Sequence, residues 1–167
     1  MVAGYGESGK GEFSRLLAMH SCGRAMSSSE AAARFVFSLM RAESYPSPSH
    51  QAPNAFAAWE DRRKHRAYWK RAIERMTEKN PAALADIIFE THRATIYDGI
   101  RSRREYFGIV AEYSPLVIWV ARPGIEADEG NEICEGACHI TITNDGDLRD
   151  LSRKAAALAK LLKGARL

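Results

Sequence analysis

The sequence has few cysteines and no long apolar run, and each shortage excludes a class of protein. Its 167 residues include three cysteines, Cys22, Cys134 and Cys138. An odd number without the spacing of a small disulfide scaffold predicts reduced thiols. No apolar stretch approaches the roughly 20 residues that a membrane-spanning helix needs. The composition therefore favours neither a disulfide-stapled secreted domain nor a membrane protein.

A secretory pattern is also missing, and the excess of positive charge is small. The opening residues MVAGYGESGK contain no basic region followed by an apolar stretch, which predicts a cytoplasmic protein. With 46% hydrophobic and 27% charged residues, the chain is typical of one globular domain over residues 1–167. Its formal net charge is +3, with basic clusters at residues 62–66 and 101–104. A phosphorylated small molecule suits this charge better than nucleic acid does.

Strand and helix signals alternate along the chain, which predicts an α/β layer fold. The predicted strands cover residues 1–3, 94–99, 116–120 and 139–143. The predicted helices cover residues 10–20, 58–76, 81–92 and 102–113, with another from the serines 27–29 to 41 and a last one from 147 to 162. The stretch Ser27-Ser28-Ser29-Glu30, Asn80 and Asp147 supply the predicted helix caps. Residues 45–54, with three prolines, and 122–136, with three glycines, are predicted loops.

A glycine-rich turn lies between the first predicted strand and the first predicted helix. It matches the pattern GxxxxGK as Gly4-Tyr5-Gly6-Glu7-Ser8-Gly9-Lys10. In a phosphate-binding loop, backbone N–H groups surround phosphate oxygens, the helix amino end adds positive potential, and the lysine reaches the terminal phosphates. The predicted ATP-binding residues are therefore Gly4, Gly6, Glu7, Ser8, Gly9, Lys10, Gly11 and Glu12.

Position 11 departs from the usual form of this motif. Gly11 stands where most such loops have a serine or threonine that binds magnesium. Adenylate kinases also have Gly-Lys-Gly at this point, so the departure favours a nucleotide kinase. The contact to the metal then has to come from elsewhere, and Ser8 or a water held by Asp98 are the candidates.

The third predicted helix carries two cations on an otherwise apolar face. Arg62 and Arg66 fall on the same stripe as Trp59 and Trp69. Either the two arginines extend to solvent, or they point into a cleft where an anion offsets their desolvation. We expect Trp59, Trp69 and Trp119 to lie in the core rather than to stack on bases.

Four stretches together resemble a known family. They are GYGESGKGE at the start, HRAYWKRAIERM in the third helix, TIYDGIRSRREY after the middle strand and ITITNDGDLRDL near the end. The chain resembles the bacteriophage deoxynucleoside monophosphate kinases, a branch of the adenylate kinase-like P-loop kinases. The resemblance implies a three-layer P-loop NTPase fold, with a parallel sheet of about five strands and helices on both faces. It also implies ATP and Mg²⁺ as cofactors, a helical monophosphate-binding insertion at about 29–92 and a short lid at about 122–137.

The resemblance also assigns roles to individual residues. Asp98 matches the acid that ends the Walker B strand and holds magnesium through water, and Lys10 is the lysine of the loop. Arg101 matches an arginine near the transferring phosphoryl group, and Arg122 matches the start of the lid. The implied catalytic residues are Lys10, Asp98, Arg101 and Arg122, and the implied substrate-binding residues are Arg62, Arg66 and Arg101. From the residues alone, Asp98 also suits an Asp-Gly turn, and Arg101 a solvated helix start.

These observations predict ATP-dependent phosphorylation of a nucleoside or deoxynucleoside monophosphate to the diphosphate, in the cytoplasm or in the host cytoplasm if phage-encoded. Two alternatives stay open. One is a kinase for another small acceptor, such as dephospho-coenzyme A or a sugar acid. The other is a nucleotide-binding or nucleic-acid-binding protein without turnover. The sequence leaves open which base and sugar are accepted, and whether the protein is a monomer or a homodimer.

Overall fold

A five-stranded, fully parallel sheet forms the centre of the molecule. The computed structural model describes residues 1–43, 54–127 and 130–164. The strand order is β2-β3-β1-β4-β5. The strands are β1 (Val2–Ala3), β2 (Ala25–Ser27), β3 (Ile96–Asp98), β4 (Ile118–Ala121) and β5 (Ile140–Thr143). The predicted parallel α/β sheet is confirmed, and each of the four strands predicted from the sequence lies where it was expected.

The sequence pattern missed β2. Its three residues, Ala25 to Ser27, are too few to establish an alternation of apolar and polar positions, and α2 follows without a loop. Tertiary pairing forms this strand, because β2 hydrogen-bonds to β3 in parallel and Ser27 lies opposite Asp98. The strand is at the edge of the sheet.

Seven α-helices lie in the described part of the chain. They are α1 (Lys10–Ser21), α2 (Ser28–Ala42), α3 (Ala55–Glu60), α4 (Arg66–Thr77), α5 (Ala83–Asp86), α6 (Arg103–Tyr113) and α7 (Leu148–Gly164). Short 3₁₀ turns occupy Asp61–His65 and Glu135–Ala137, and a π-helical turn occupies Ile87–Thr91. Two predicted caps are confirmed, because the N–H of Glu30 donates to Ser27 Oγ at 3.2 Å and that of Asp150 to Asp147 Oδ1 at 2.9 Å.

The prediction of one continuous helix over residues 58–76 is wrong. The 3₁₀ turn Asp61–His65 separates α3 from α4, and within it Lys64 Nζ lies 2.7 Å from the Asp61 carboxylate. A 3₁₀ turn has about three residues per turn instead of 3.6, so the break changes the angle between Arg62 and Arg66. Arg62 is half-buried, whereas Arg66 is exposed.

The helix expected to begin at Pro81 begins at Ala83, because Asn80 Oδ1 accepts from the Ala82 N–H at 2.9 Å and forms a turn there. Of the predicted proline-rich loop 45–54, only Asn54 lies within the described residues. Its side chain caps α3 by accepting from the Ala57 N–H at 3.0 Å.

Alternate strand residues supply two apolar clusters, one on each face of the sheet. Val2, Ile96, Ile118 and Val120 pack with α1 and α7. Ala3, Tyr97 and Trp119 pack with α2, α4, α5 and α6. Because successive side chains of a strand point to opposite faces, the helices form two layers with the sheet between them. This is the predicted three-layer arrangement, and the predicted core positions of Trp69 and Trp119 are confirmed at 4% and 2% exposure.

One polar pair is buried within the layer that contains α6. Tyr97 is fully buried, and its hydroxyl donates to Glu105 Oε1. Burial raises the pKa of Glu105 to about 7, although the hydrogen bond from Tyr97 lowers it in part. The carboxyl group therefore binds a proton in the folded protein at pH values where an exposed glutamate has lost it.

Glu105 predicts a loss of stability as pH rises. The folded state keeps a proton that the unfolded state releases, so the free energy of unfolding falls between about pH 4.5 and 7. Glu105→Gln keeps a neutral acceptor for Tyr97. The variant should therefore lack the fall in unfolding free energy that Glu105 causes, which is about 3 kcal/mol for a pKa raised from 4.5 to about 7. Chemical denaturation at pH 5 and pH 8 measures it. The variant should gain stability relative to wild type at pH 8, and an equal difference at both pH values would contradict the assignment.

Candidate functional site

The carboxyl ends of the five parallel strands meet at one edge of the sheet, and polar segments follow them directly. A glycine-rich loop, Gly4–Lys10, follows β1, Asp98 ends β3, Arg122 follows β4 and Asn144 follows β5. β1 pairs with β3 on one side and with β4 on the other. The strand order reverses at this point, and open α/β sheets bind ligands in the crevice formed there.

The glycine-rich loop requires glycine at two positions. Gly4 has φ +152°, and a Cβ added to it would lie 2.6 Å from the carbonyl oxygen of Val120. Gly9 has φ +88°, and its added Cβ would lie 2.4 Å from Asn144 Nδ2. The Phe13 N–H donates to Gly9 O at 2.9 Å, so α1 begins as the loop ends. The positive end of the α1 dipole therefore lies at the carboxyl edge of the sheet.

Two of the predicted catalytic cations contact this loop. Lys10 Nζ donates to Tyr5 O at 2.9 Å, and Arg122 Nη1 donates to Glu7 O at 3.4 Å. Both contacts are to backbone carbonyl oxygens on the loop itself. The two cations therefore lie at the same loop.

Two asparagines that sequence reasoning did not single out also hold the loop. Asn144 Nδ2 donates to Ser8 O at 2.8 Å, and Asn131 Nδ2 donates to Gly4 O at 3.4 Å. Asn144 belongs to the NDGDL stretch that contributed to the family resemblance, and that was the available signal. Asn131 lies in a polar segment without any pattern, so nothing in the sequence indicated its contact.

Asp98 is largely buried at the end of β3. Its Oδ1 atom has no hydrogen-bond partner in the described part of the chain. Burial raises the pKa of Asp98 to about 6, and the positive charge of Lys10 lowers it in part. A Cβ added to Gly11 would lie 3.4 Å from Asp98 Oδ2, so the carboxylate stands beside the position where the usual hydroxyl is missing. The carboxylate thus has one buried oxygen without a partner, Oδ1, and a second oxygen, Oδ2, beside Gly11, and an oxygen ligand of this kind fits a hydrated Mg²⁺ ion.

The other candidate for the metal contact, Ser8, lies on the buried side of the loop. It is 1% exposed, and its Oγ would lie 2.7 Å from a Cβ added to Gly4. Ser8 Oγ, like Asp98 Oδ1, has no hydrogen-bond partner among the described residues, but it lies beside Gly4, whereas the Asp98 carboxylate lies beside Gly11.

Two further predicted site residues have their own partners. Arg101 is exposed after β3, and its carbonyl oxygen accepts from the Glu132 N–H at 2.8 Å. That bond joins the segment after β3 to the segment that follows Arg122. Glu12 is paired with Arg15 through bonds of 2.5 and 3.1 Å. The Glu12 side chain thus bonds within α1. The side chains that bond to the loop carbonyls are those of Lys10, Arg122, Asn131 and Asn144.

A cleft of about 570 Å³ opens beside Asp98 on the side of the edge strand β2. Its volume is in the range of small-molecule sites. The lining residues come from α1, β2, α2, the α3 region and β3, and those with polar or aromatic side chains are Ser14, Arg15, Arg24, Ser27, Glu30, Trp59, Arg62 and Asp98. Arg62 is among them and Arg66 is not, although the charge of Arg66 is close enough to Arg62 to lower its pKa.

Arg62 and Trp59 form one wall of this cleft. The Arg62 guanidinium carbon lies 4.3 Å from the centre of the Trp59 ring, and Nη1 donates to Trp59 O at 2.8 Å. Burial lowers the pKa of Arg62, with a smaller contribution from Arg63, while Glu30 raises it. Trp59 Nε1 donates to Ser29 Oγ at 3.2 Å. The expected core position of Trp59 is therefore only partly right, because it packs on the core with one part and lines the cleft with another.

Comparison of the chain with protein-family models, with curated proteins and with solved structures finds no match. Across residues 1–43, 54–127 and 130–164, no helix combines the length and apolar character needed to cross a membrane. A fold of this kind hosts many activities, so the fold alone does not define the function.

Asp98→Asn should stabilise the ligand-free protein. The pKa of Asp98 is raised from 3.8 to about 6, so stability is lost as pH rises through this window. The amide removes the buried charge, and the gain at pH 7.5 should be about 1–3 kcal/mol, or about 3–8 °C in the thermal midpoint. Thermal unfolding at pH 7.5 and pH 4 measures the gain, which should shrink at pH 4. Destabilisation at pH 7.5 would instead mean that the carboxylate has a structural partner.

Proposed function

We propose that the protein is a phosphotransferase that moves the γ-phosphoryl group of ATP to a nucleoside monophosphate. The observation that carries the proposal is the position of Asp98 between the glycine-rich loop and the cleft beside β2. Its carboxylate is close enough to Lys10 for the lysine to lower its pKa, and it also lines the cleft with Arg62. A phosphate donor and a phosphate acceptor bound on its two sides would meet beside it.

The donor site is the glycine-rich loop. Backbone N–H groups of the loop and the amino end of α1 suit the phosphates of ATP. Lys10 and Arg122 donate to carbonyl oxygens of the loop, and each can exchange that contact for a phosphate oxygen without leaving the edge of the sheet. Charge-assisted hydrogen bonds to phosphate are stronger than those to a neutral carbonyl. When ATP binds, the two side chains should therefore leave the loop carbonyls and bond to the phosphates.

Asp98 would hold the magnesium that accompanies ATP. The position of Oδ2 beside Gly11, together with the lack of a partner for Oδ1, supports an indirect contact through water. When bound, magnesium neutralises charge on the phosphates. The residues of the protein then have to orient the donor and acceptor.

The acceptor site is the cleft beside β2. Arg62 provides a guanidinium group for the acceptor's phosphate, and its stacking on Trp59 restricts its rotation. Ser27 and Glu30 supply polar groups for the sugar or the base. A cleft of this volume holds one mononucleotide, and its cations match a monophosphate.

The reaction itself requires little covalent assistance from the protein. An oxygen of the acceptor's phosphate forms a bond to the γ-phosphorus, the bond from this phosphorus to the β-phosphate breaks, and ADP leaves. Catalysis of such a step comes from alignment and from neutralisation of charge. Lys10, Arg122 and Arg101 are the cations at this edge that would contact the transferring group. Movement of the segments at Arg101 and Arg122 over the site would exclude water, which otherwise hydrolyses ATP.

Gly11 is the observation that favours a second candidate, a nucleotide-binding protein without turnover. A loop without the usual hydroxyl ligand loses one direct contact to magnesium. In that case ATP would bind to the loop, and no acceptor would increase its consumption.

Formation of ADP tests the proposal. ATP with Mg²⁺ is incubated with the protein and with each ribonucleoside or deoxynucleoside monophosphate in turn. One or a few monophosphates should stimulate ADP formation, with equal amounts of the new diphosphate. Binding of ATP without stimulation by any of them would support the second candidate, and rapid ATP hydrolysis without an acceptor would contradict a kinase.

Lys10→Ala should lower the rate of phosphoryl transfer by more than a hundredfold, because it removes a charged donor aimed at the transferring group. Stability should fall only modestly, because the lysine is half-buried and, besides its bond to a loop carbonyl, its charge offsets part of the cost of the buried Asp98 carboxylate. Lys160→Ala, an exposed lysine of α7, is the matched control and should keep the wild-type rate. A Lys10→Ala variant that keeps the wild-type rate would remove the loop from the active site.

Arg62→Ala and Arg66→Ala should differ in their effect on the acceptor. Arg62 lines the cleft and Arg66 does not. Loss of a guanidinium bound to phosphate is expected to raise the KM for the monophosphate by about tenfold or more. The change for Arg66→Ala should stay within about twofold, as is usual for an exposed charge. Steady-state kinetics with ATP saturating measures both, and equal effects would show that the cleft is not the acceptor site.

A further inference from the structure

Asn144 is fixed firmly at the end of β5. Its backbone N–H donates to Ala121 O at 2.6 Å, which ties it to the end of β4. The next residue, Asp145, accepts from Lys154 Nζ at 2.7 Å, and the same lysine donates to Thr143 O at 2.7 Å. Residues on both sides of Asn144 are therefore anchored to α7, and its side chain extends from a rigid support.

From this support, the Asn144 side chain contacts the turn just before α1. Nδ2 donates to Ser8 O at 2.8 Å across 136 positions of sequence. A Cβ added to Gly9 would lie 2.4 Å from the same nitrogen, so the amide also fills the space that a side chain at position 9 would need. The hydrogen bond to Ser8 O and the close approach to Gly9 therefore both place the Asn144 amide against the peptide bond that joins Ser8 to Gly9.

That peptide bond determines where the Gly9 N–H points. The carbonyl oxygen of Ser8 and the N–H of Gly9 belong to one planar trans unit and point in opposite directions. A bond that holds the oxygen toward Asn144 therefore directs the N–H away from it. The N–H groups of Gly9, Lys10 and Gly11 follow one another at the start of α1, and successive N–H groups of this kind form a concave site for an anion.

The loop is strained and needs such support. Glu7, which is not a glycine, has φ +61°. The left-handed conformation of a residue that is not glycine costs about 1 kcal/mol or more and persists only where its surroundings enforce it. The Asn144 contact is the shortest of the side-chain bonds to the loop carbonyls given above.

We infer that Asn144 is a positioning residue, which sets the Ser8–Gly9 peptide so that the loop is preorganised for the phosphates of a nucleotide. The ligand in this inference rests on the proposed function, whereas the effect on the loop does not. Asn144 does not touch the reacting atoms; it acts through the backbone of residues 8 to 11. Without the Asn144 side chain, the free loop should adopt more conformations, so it loses more entropy when it binds phosphate.

Hydrogen exchange of the ligand-free protein tests the effect on the loop. In Asn144→Ala, amides in the segment 4–12 should exchange at least tenfold faster than in wild type, while amides of β4 and α7 keep their rates. Asn80→Ala is the control, because Asn80 bonds to Asp86 and Ala82 in a surface turn. It should leave exchange of the segment 4–12 unchanged. Equal exchange in Asn144→Ala and wild type would overturn the inference.

Titration with ATP and Mg²⁺ by calorimetry tests the consequence for binding. Asn144→Ala should weaken binding about tenfold. Asn144→Asp, which has the same shape, should weaken it further, because a carboxylate oxygen repels both Ser8 O and the phosphates. The KM for the monophosphate should stay constant while the KM for ATP rises. Unchanged ATP affinity in both variants would overturn the inference, and Asn144→Asp, being isosteric, serves if the alanine variant fails to fold.

The two readouts separate this inference from the proposed function. Faster exchange of the segment 4–12 in Asn144→Ala, combined with no binding of ATP by the wild-type protein, would support the positioning role and refute the nucleotide site. Normal ATP binding by both the wild type and Asn144→Ala would support the nucleotide site and refute the positioning role of Asn144.

Discussion

The pairing of β1 with strands on both of its sides is the constraint on which the site depends. β1 has only two residues, Val2 and Ala3, and both are fully buried. Val2 lies opposite Asp98 on one side and Ile118 on the other, and Ala3 lies opposite Trp119. Since all three strands run in the same direction, their ends bring Gly4, Asp98 and Arg122 to one edge. Residues far apart in sequence are thereby held around one loop.

Burial of Asp98 gives this arrangement an energetic cost. A carboxylate without a hydrogen-bond partner for one oxygen is unfavourable in the folded protein, and its pKa is raised to about 6 for this reason. The buried pair of Tyr97 and Glu105 differs from Asp98, because its two side chains are hydrogen-bonded to each other. A group that destabilises the free protein and faces a cleft is typical of a functional site. The two apolar clusters stabilise the sheet that carries it.

The sequence allowed prediction of those features that depend on local pattern. The glycine-rich loop, α1, the buried strand β4 and the cap at Ser27 each have a signal within a few residues. β2 did not, because three residues cannot establish an alternation and only pairing with β3 defines the strand. The break at Asp61–His65 was missed because helical spacing continues through it in the sequence. The different positions of Arg62 and Arg66 follow from that break.

The sequence also did not predict the contacts across the site. The bonds from Asn131 and Asn144 to the loop join residues separated by 127 and 136 positions. The wall formed by Arg62 and Trp59 exists because α3 packs against α2, which places both side chains beside β2. Such contacts depend on the path of the whole chain, whereas a motif identifies residue types and their spacing only.

Binding of one molecule that fills both regions tests the central claim most directly. Compounds that join adenosine to each of the four deoxynucleosides through five phosphates combine donor and acceptor. The account predicts that at least one of them binds in a 1:1 ratio, about a hundredfold more tightly than ATP, and that Lys10→Ala and Arg62→Ala each weaken it. Affinities no better than that of ATP for all four compounds, or loss of binding in Lys10→Ala alone, would contradict a donor loop and an acceptor cleft that meet at Asp98.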